Sequence, residues 1–159
     1  MGKIGHVRID DRLIHGQIVA AWLSVLRSNT IVVADDKAAA EPFQRMLLEM
    51  ACPPGIALKI LPVAEAAAWL CSPEADLPKV LVVLRNVESA LALVENGVAI
   101  EEINVGNVSA NARKTKYSKS VWLDEADIAN FARLKEKGIY LEVRVVPNEK
   151  GTELFSLIE

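Results

Sequence analysis

The chain has 159 residues, 52% hydrophobic and 25% charged, with 8 Gly and 7 Pro. That length fits one domain with a sizeable core, and the composition excludes disordered and low-complexity classes. Eighteen basic against 21 acidic residues give a net charge of −3, the wrong balance for neutralising a nucleic-acid backbone.

The N-terminal stretch Met1 to Arg8 interrupts its apolar residues with charge and lacks the apolar core of a signal peptide. The longest apolar runs, Ile18 to Leu23 and Ala66 to Cys71, fall far short of the roughly 20 residues of a membrane span. A cytoplasmic protein with no membrane insertion is expected. Cys52 and Cys71 form neither a CxxC pair nor a disulfide framework and read as small buried hydrophobes.

Strand-like segments run Ile4 to Ile9, Thr30 to Ala34, Ala57 to Leu61, Val80 to Leu84, Ile103 to Val105, Val121 to Leu123 and Leu141 to Val146. Between the first two, Gly16 to Arg27 reads as a helix apolar nearly all round and therefore buried. Phe43, Met46, Leu47 and Met50 have helical spacing and read as a core-facing stripe. Val63, Ala66, Ala67, Leu70 and Val87, Ala90, Leu91, Val94 repeat the pattern. Pro53-Pro54-Gly55 stops the second helix, Asn96-Gly97 and Lys137-Gly138 supply left-handed caps, and Asp124 with Asp127 opens a late helix. Residues 104 to 120 break the alternation and carry Arg113, Lys114, Lys116 and Lys119 beside Tyr117. They predict a long loop, either solvated or part of a docking face, with antiparallel edge pairing. The fold expected is α/β, a mainly parallel central sheet of about seven strands with helices on both faces and an antiparallel edge.

In such sheets ligands bind beyond the carboxyl ends of the strands, which directs attention to Asp10-Asp11-Arg12-Leu13-Ile14-His15-Gly16-Gln17. His15 stands at a helix start, where free amides and the helix dipole favour an anion. Arg12 adds a fork suited to phosphate oxygens, and Gly16 permits close backbone approach. Asp10 or Asp11 is positioned to fix the imidazole tautomer, or to cap the following helix. Imidazole is largely neutral and nucleophilic near neutral pH, so the group suits a histidine that carries a phosphoryl group transiently. Asn104 and Asn107 end a strand toward the same edge, and Trp22, Trp69 and Trp122 read as core anchors.

Other chemistries fit less well. A phospho-aspartate receiver lacks its acceptor after Ile60-Leu61 and its lysine at Gly106-Asn107. A metal hydrolase built on His6, Asp10, Asp11 and His15 has too few ligands, and no GxGxxG follows a strand. No metal or cofactor is expected.

Arg8-Ile9-Asp10-Asp11-Arg12-Leu13-Ile14-His15-Gly16-Gln17 closely resembles the N-terminal signature of IIB subunits of the mannose, fructose and sorbose family of the bacterial sugar phosphotransferase system. The resemblance continues through Ile31 to Asp36, Pro53-Pro54-Gly55, Asn96-Gly97-Val98, Ile103 to Asn107 and Ser120 to Asp124, and so spans 1–159 as a single IIB phosphocarrier domain. It implies a phosphohistidine at His15, phosphorylated on Nδ1 by a phospho-IIA protein or domain. The phosphoryl group would pass to a sugar held by membrane IIC and IID subunits, through which the protein would meet the inner face of the membrane. Arg12 matches the family arginine beside the phosphorylated loop, and Asp10, Asp11, Gly16 and Gln17 fall among phosphate-binding or positioning residues. Asn107, where relatives commonly carry a second glycine, and Lys116 bear on sugar and partner specificity. Asn107 is more similar to the branch handling N-acetylgalactosamine.

Overall fold

In the computed structural model, residues 3–158 are described; Met1, Gly2 and Glu159, and with them part of the N-terminal stretch discussed above, lie outside. Five β/α crossovers build the sheet. The strands β1 (His6–Asp10), β2 (Thr30–Ala34), β3 (Ala57–Leu61), β4 (Val80–Leu84), β5 (Glu102–Asn107) and β8 (Tyr140–Val143) are parallel, and β9 (Thr152–Glu153) pairs antiparallel with β8. Their order is β3-β2-β4-β1-β5-β8-β9.

Two helical layers cover the sheet. Helices α1 (Gly16–Leu26), α2 (Asp36–Ala40) and α3 (Pro42–Ala51) share one face, where Val19, Leu23, Ala38 and Leu48 cluster with Ile31, Val33 and Leu81. Helices α4 (Val63–Leu70), α5 (Val87–Glu95) and α6 (Glu125–Glu136) cover the other. There Val63, Ala66, Ala67, Leu70 and Val87, Ala90, Leu91 are buried against Val7, Ile9, Val82 and Val105, as their spacing predicts; Val94, expected in the second stripe, is only partly buried, and Leu93 is buried instead. Gly97 and Gly138 adopt φ of 94° and 85°, the left-handed geometry expected of helix ends, and Asp124 with Asp127 forms a reciprocal capping box on α6.

Several expectations need correction. Val121 to Leu123 does not join the main sheet. The short β7 (Trp122–Leu123) pairs instead with β6 (Thr115–Lys116) in a separate two-stranded ladder, and the antiparallel edge is β9. The last parallel strand stops at Val143 because the chain turns toward Pro147, which has no N–H for a ladder. Helix α1 is not buried all round: Val19, Trp22 and Leu23 are, but Val25 is 65% exposed. Phe43, Met46, Leu47 and Met50 face solvent, not the core. The inner side of α3 is held by Leu48, by Gln44 bonded to Arg85, and by Arg45 donating to the Ile60 carbonyl. Cys52 is half-buried and Cys71 exposed. Of the tryptophans only Trp22 is buried; Trp69 and Trp122 lie partly open.

The α1 face of the sheet changes character between its halves. Facing α1 and α3, β2 and β4 present Ile31, Val33, Leu81 and Val83. On the same side β1 presents His6, Arg8 and Asp10, and β5 presents Asn104 beside them. The alternate residues Val7, Ile9, Ile103 and Val105 fill the opposite core. A polar layer therefore runs inside the fold from β1 to β8 and ends at the loop before α1.

Candidate active site

Crossovers leave β1 and β4 in opposite directions, toward β2 and β5, so the crevice between these neighbours is the topological switch point. The 10–15 loop sits there. Leu13 N–H donates to the Asp10 carbonyl at 2.8 Å, and Leu13 takes a left-handed φ of 59° while its side chain is 2% exposed. That conformation is costly for a residue with a Cβ, and burial of Leu13 and Ile14 in the α1 core offsets it. Gly16 has φ of 42°, and a Cβ there would meet nothing, so its glycine serves the turn and not a close contact.

His15 is the N-cap of α1 but makes no side-chain cap. Its Nε2–H donates to Asp10 Oδ2 at 3.1 Å, and among the described residues nothing bonds Nδ1. The side chain is 21% exposed against 1% for Asp10. The choice between the two aspartates is thereby made geometrically. Asp10 contacts the imidazole, also accepts Arg12 N–H on Oδ1 at 3.0 Å, and receives Arg8 Nη2 at 3.1 Å. Asp11 instead ties the loop to the end of β5, accepting from Asn107 Nδ2 at 2.8 Å and from Ser109 N at 2.7 Å and Oγ at 3.0 Å.

Beneath Asp10 lies Arg8, 1% exposed, which the sequence showed as a charge in an apolar stretch and as the first residue of the family signature, with no role assigned to it. It donates to Asn104 Oδ1 at 2.6 Å and to the Arg144 carbonyl at 3.2 Å, and its guanidinium stacks over Trp22 with 5.7 Å to the ring centroid. Burial lowers its pKa from the ordinary arginine value, and Asp10 opposes that shift. A Cβ at Gly106 would occupy the guanidinium's place, so glycine at 106 makes room for Arg8. Asn104 belongs to this interior layer and not to the edge where it was expected. Its Oδ1 also accepts from His6 Nε2 at 3.3 Å, and its Nδ2 donates to the Arg144 carbonyl at 2.8 Å. His6 stacks on Trp22 at 4.4 Å, and burial, reinforced by Arg8 and Arg144 and opposed by the Asn104 bond, lowers its pKa to about 4. Among the described residues no cluster of potential metal ligands forms. Trp22 is covered by His6, Arg8 and Arg144, so it offers no free face to a sugar.

Arg12 is exposed, and with His15, Gln44, Leu47 and Arg85 it lines a cleft of about 320 Å³. Arg85 follows β4, grips both Asp35 oxygens at 3.0–3.2 Å and donates to Gln44 Oε1 at 2.6 Å. Sequence reasoning missed it, although its position at the end of a strand beside β1 was the available signal. Gln17 is exposed in the first turn of α1 with no side-chain hydrogen bond among the described residues. Of the basic loop, Lys114 pairs with Asp127 at 3.1 Å, while Arg113, Lys116 and Lys119 are solvent-exposed.

Fold and site together define the class: an α/β protein whose parallel sheet presents an imidazole and a guanidinium at its switch point, before the amino end of a helix. Residues 4–159 match the family described as "PTS system sorbose subfamily IIB component", and the chain belongs to that family. It is 37% identical over 151 residues to the N-acetylgalactosamine-specific phosphotransferase enzyme IIB component 2 of Escherichia coli K12, covering 95% of this chain and 96% of that protein. Identity is 36% over 155 residues to the mannose-specific EIIAB component of the same strain, covering 98% of this chain and 48% of that protein; the chain thus spans about half the length of the mannose-specific curated relatives. The solved IIB domain of the sorbose permease from Klebsiella pneumoniae superposes with a TM-score of 0.93 at 31% identity, covering 99% and 96% of the two chains. Among the described residues no helix is long and apolar enough to cross a membrane.

Proposed function

We propose that the chain is a single-domain phosphoryl carrier of a sugar phosphotransferase system, with His15 as the residue that carries the group. The observation supporting this most directly is the Nε2–H···Oδ2 bond to Asp10, which leaves Nδ1 without a hydrogen-bond partner among the described residues. Nδ1 attacks phosphorus in line, the P–N bond of a phosphohistidine on the IIA partner breaks, and a P–Nδ1 bond forms. Arg12 and the first amides of α1 receive the phosphoryl oxygens. Asp10 holds the Nε2 proton, so the phosphorylated ring keeps its positive character and remains a good leaving group. In the second half-reaction the oxygen of a sugar hydroxyl held by membrane IIC and IID subunits attacks phosphorus, its proton passes to solvent, the P–Nδ1 bond breaks, and His15 returns to its starting form. The sugar belongs to the mannose, fructose, sorbose or N-acetylgalactosamine class. Identities to mannose-specific and N-acetylgalactosamine-specific relatives are nearly equal and do not choose among them. The carrier works on the cytoplasmic side, with no cofactor and no metal.

Phosphorylation with the general phosphotransferase proteins, phosphoenolpyruvate and the cognate IIA protein tests this reading. An acid-labile, alkali-stable phosphate on His15, absent from His15→Ala, is the expected result. Label on Asp10 or Asp11, or undiminished label on His15→Ala, refutes it.

A further inference from the structure

Helix α3 turns its largest apolar side chains into solvent. Phe43 and Met50 are 67% and 75% exposed, and Met46 and Leu47 are 46% and 47% exposed. Their i, i+3, i+4, i+7 spacing puts all four on one face. Outside α3 the only large apolar residues this open among the described residues are Val25 and Tyr140, on two other elements. Scattered apolar side chains are ordinary on a surface, whereas a continuous stripe marks something that covers it.

The position of the stripe says what covers it. Leu47 lines the same cleft as His15 and Arg12, so α3 is one wall of the approach to the imidazole. A donor that delivers phosphorus in line must come within about 3–3.5 Å of Nδ1, and its body then lies across that wall. Arg12 lines the same cleft and is complementary to the charge of a phosphoryl group, so an apolar strip and a cation both border the approach to the nucleophile. Met46 and Met50 are unbranched and adapt to the surface they meet, which suits contact with a partner that must leave after each turnover. A second copy of this chain seated on α3 would cover the cleft instead and keep donors from His15. We propose that the outer face of α3, carried by Phe43, Met46 and Met50, is the docking surface for the phosphorylated IIA protein. This rests on the reading of His15 as phosphoryl acceptor.

The test separates the two. The triple variant Phe43→Ser/Met46→Gln/Met50→Gln, which alters no group of the His15 network, is labelled in parallel by the cognate phospho-IIA protein and by phosphoramidate, a small phosphodonor that needs no docking surface. The expected result is a fall of about tenfold or more in kcat/KM with phospho-IIA, at unchanged phosphoramidate labelling of His15. Wild-type kcat/KM with phospho-IIA overturns the docking proposal and leaves the acceptor reading intact. So does wild-type self-association in sedimentation that the variant abolishes while its IIA transfer is kept, because the face would then bind a second copy. Failure of both phospho-IIA and phosphoramidate to label His15 of the wild-type protein removes the acceptor reading, and this proposal with it.

Discussion

Replacing Asp10 by Asn leaves the number of side-chain heavy atoms unchanged, yet neither orientation of the amide satisfies what Asp10 holds. If the amide oxygen takes the place of Oδ2, Arg8 and His15 keep their acceptor but the NH2 group confronts Arg12 N–H, and the turn before α1 loses its bond. If the oxygen takes the place of Oδ1, the NH2 group confronts the Arg8 guanidinium and donates to His15 Nε2. The ring proton then moves to Nδ1 and occupies the attacking lone pair. Either way Arg8, 1% exposed, loses the only carboxylate it contacts among the described residues. Breaking a buried pair from one side costs about 3–5 kcal/mol, and a wrong-tautomer imidazole costs roughly a thousandfold or more in rate. Urea unfolding, phosphoryl transfer from the IIA partner, and 15N NMR of the imidazole tautomer read the three consequences separately. Arg8→Met/Asp10→Asn is the decisive companion, because an unbranched apolar side chain fills the guanidinium channel and no cation is left stranded. It is expected to recover most of the lost stability and none of the lost transfer. Transfer by Asp10→Asn at about the wild-type rate, or a double variant no more stable than Asp10→Asn, would refute the reasoning.

Gly106→Ala drives a Cβ into the guanidinium of Arg8; it should destabilise by about 2 kcal/mol or more in thermal unfolding, and adding Arg8→Met should relieve most of that. Arg12→Ala removes an exposed guanidinium, so the unfolding midpoint should stay within error while phosphorylation of His15 slows about tenfold to a hundredfold in rapid-quench assays. His6 sits near pKa 4 when folded and near 6.5 when unfolded, so the unfolded chain binds the extra proton between these values. Stability from this residue is therefore full above pH 6.5, falls as pH drops toward 4, and amounts to about 3 kcal/mol in all. Denaturant titrations of wild type and His6→Gln from pH 4 to 7 should converge at low pH, and parallel curves would contradict that assignment.

The parts of the fold legible in the sequence were those in which one physical signal decides. In α4 and α5 the residues at i, i+3 and i+4 of the apolar stripe are buried, while Glu65 and Glu88 stand outside it in solvent. In α3 the same periodicity was present but its direction was not, because Leu48, Ala51 and Cys52 make a second stripe and Gln44 and Arg45 find partners only in the tertiary structure. Periodicity reveals that a helix has an apolar face without revealing whether the protein itself covers it. The site divides in the same way. His15 and Arg12 were visible from residue type and position after a strand. The choice of Asp10 over Asp11 needed the bulge where β1 meets β5, which turns Asp11 toward Asn107. The polar layer was half legible: His6, Arg8 and Asp10 alternate with Val7 and Ile9, so one face of β1 had to be polar. That Asn104 would complete it depends on strand order, which no local pattern contains.

The interior polar layer is also the least economical part of the fold, and that argues for its purpose. A buried arginine bonded to a buried aspartate commonly adds nothing over apolar residues of equal volume, because desolvating both charges cancels most of their attraction. Here one guanidinium nitrogen, Arg8 Nε, even lacks a partner among the described residues. An apolar layer over β1 and β5 would give a fold at least as stable, but it could not fix a carboxylate. Asp10, 0% exposed, is bonded to Arg8, which is itself placed by Asn104, Gly106 and Trp22, so the carboxylate is fixed in place and His15 meets one acceptor in one direction. The polar layer therefore stabilises a tautomer more than it stabilises the fold, and Arg8→Met/Asp10→Asn, sound in structure and inactive in transfer, is its expected signature.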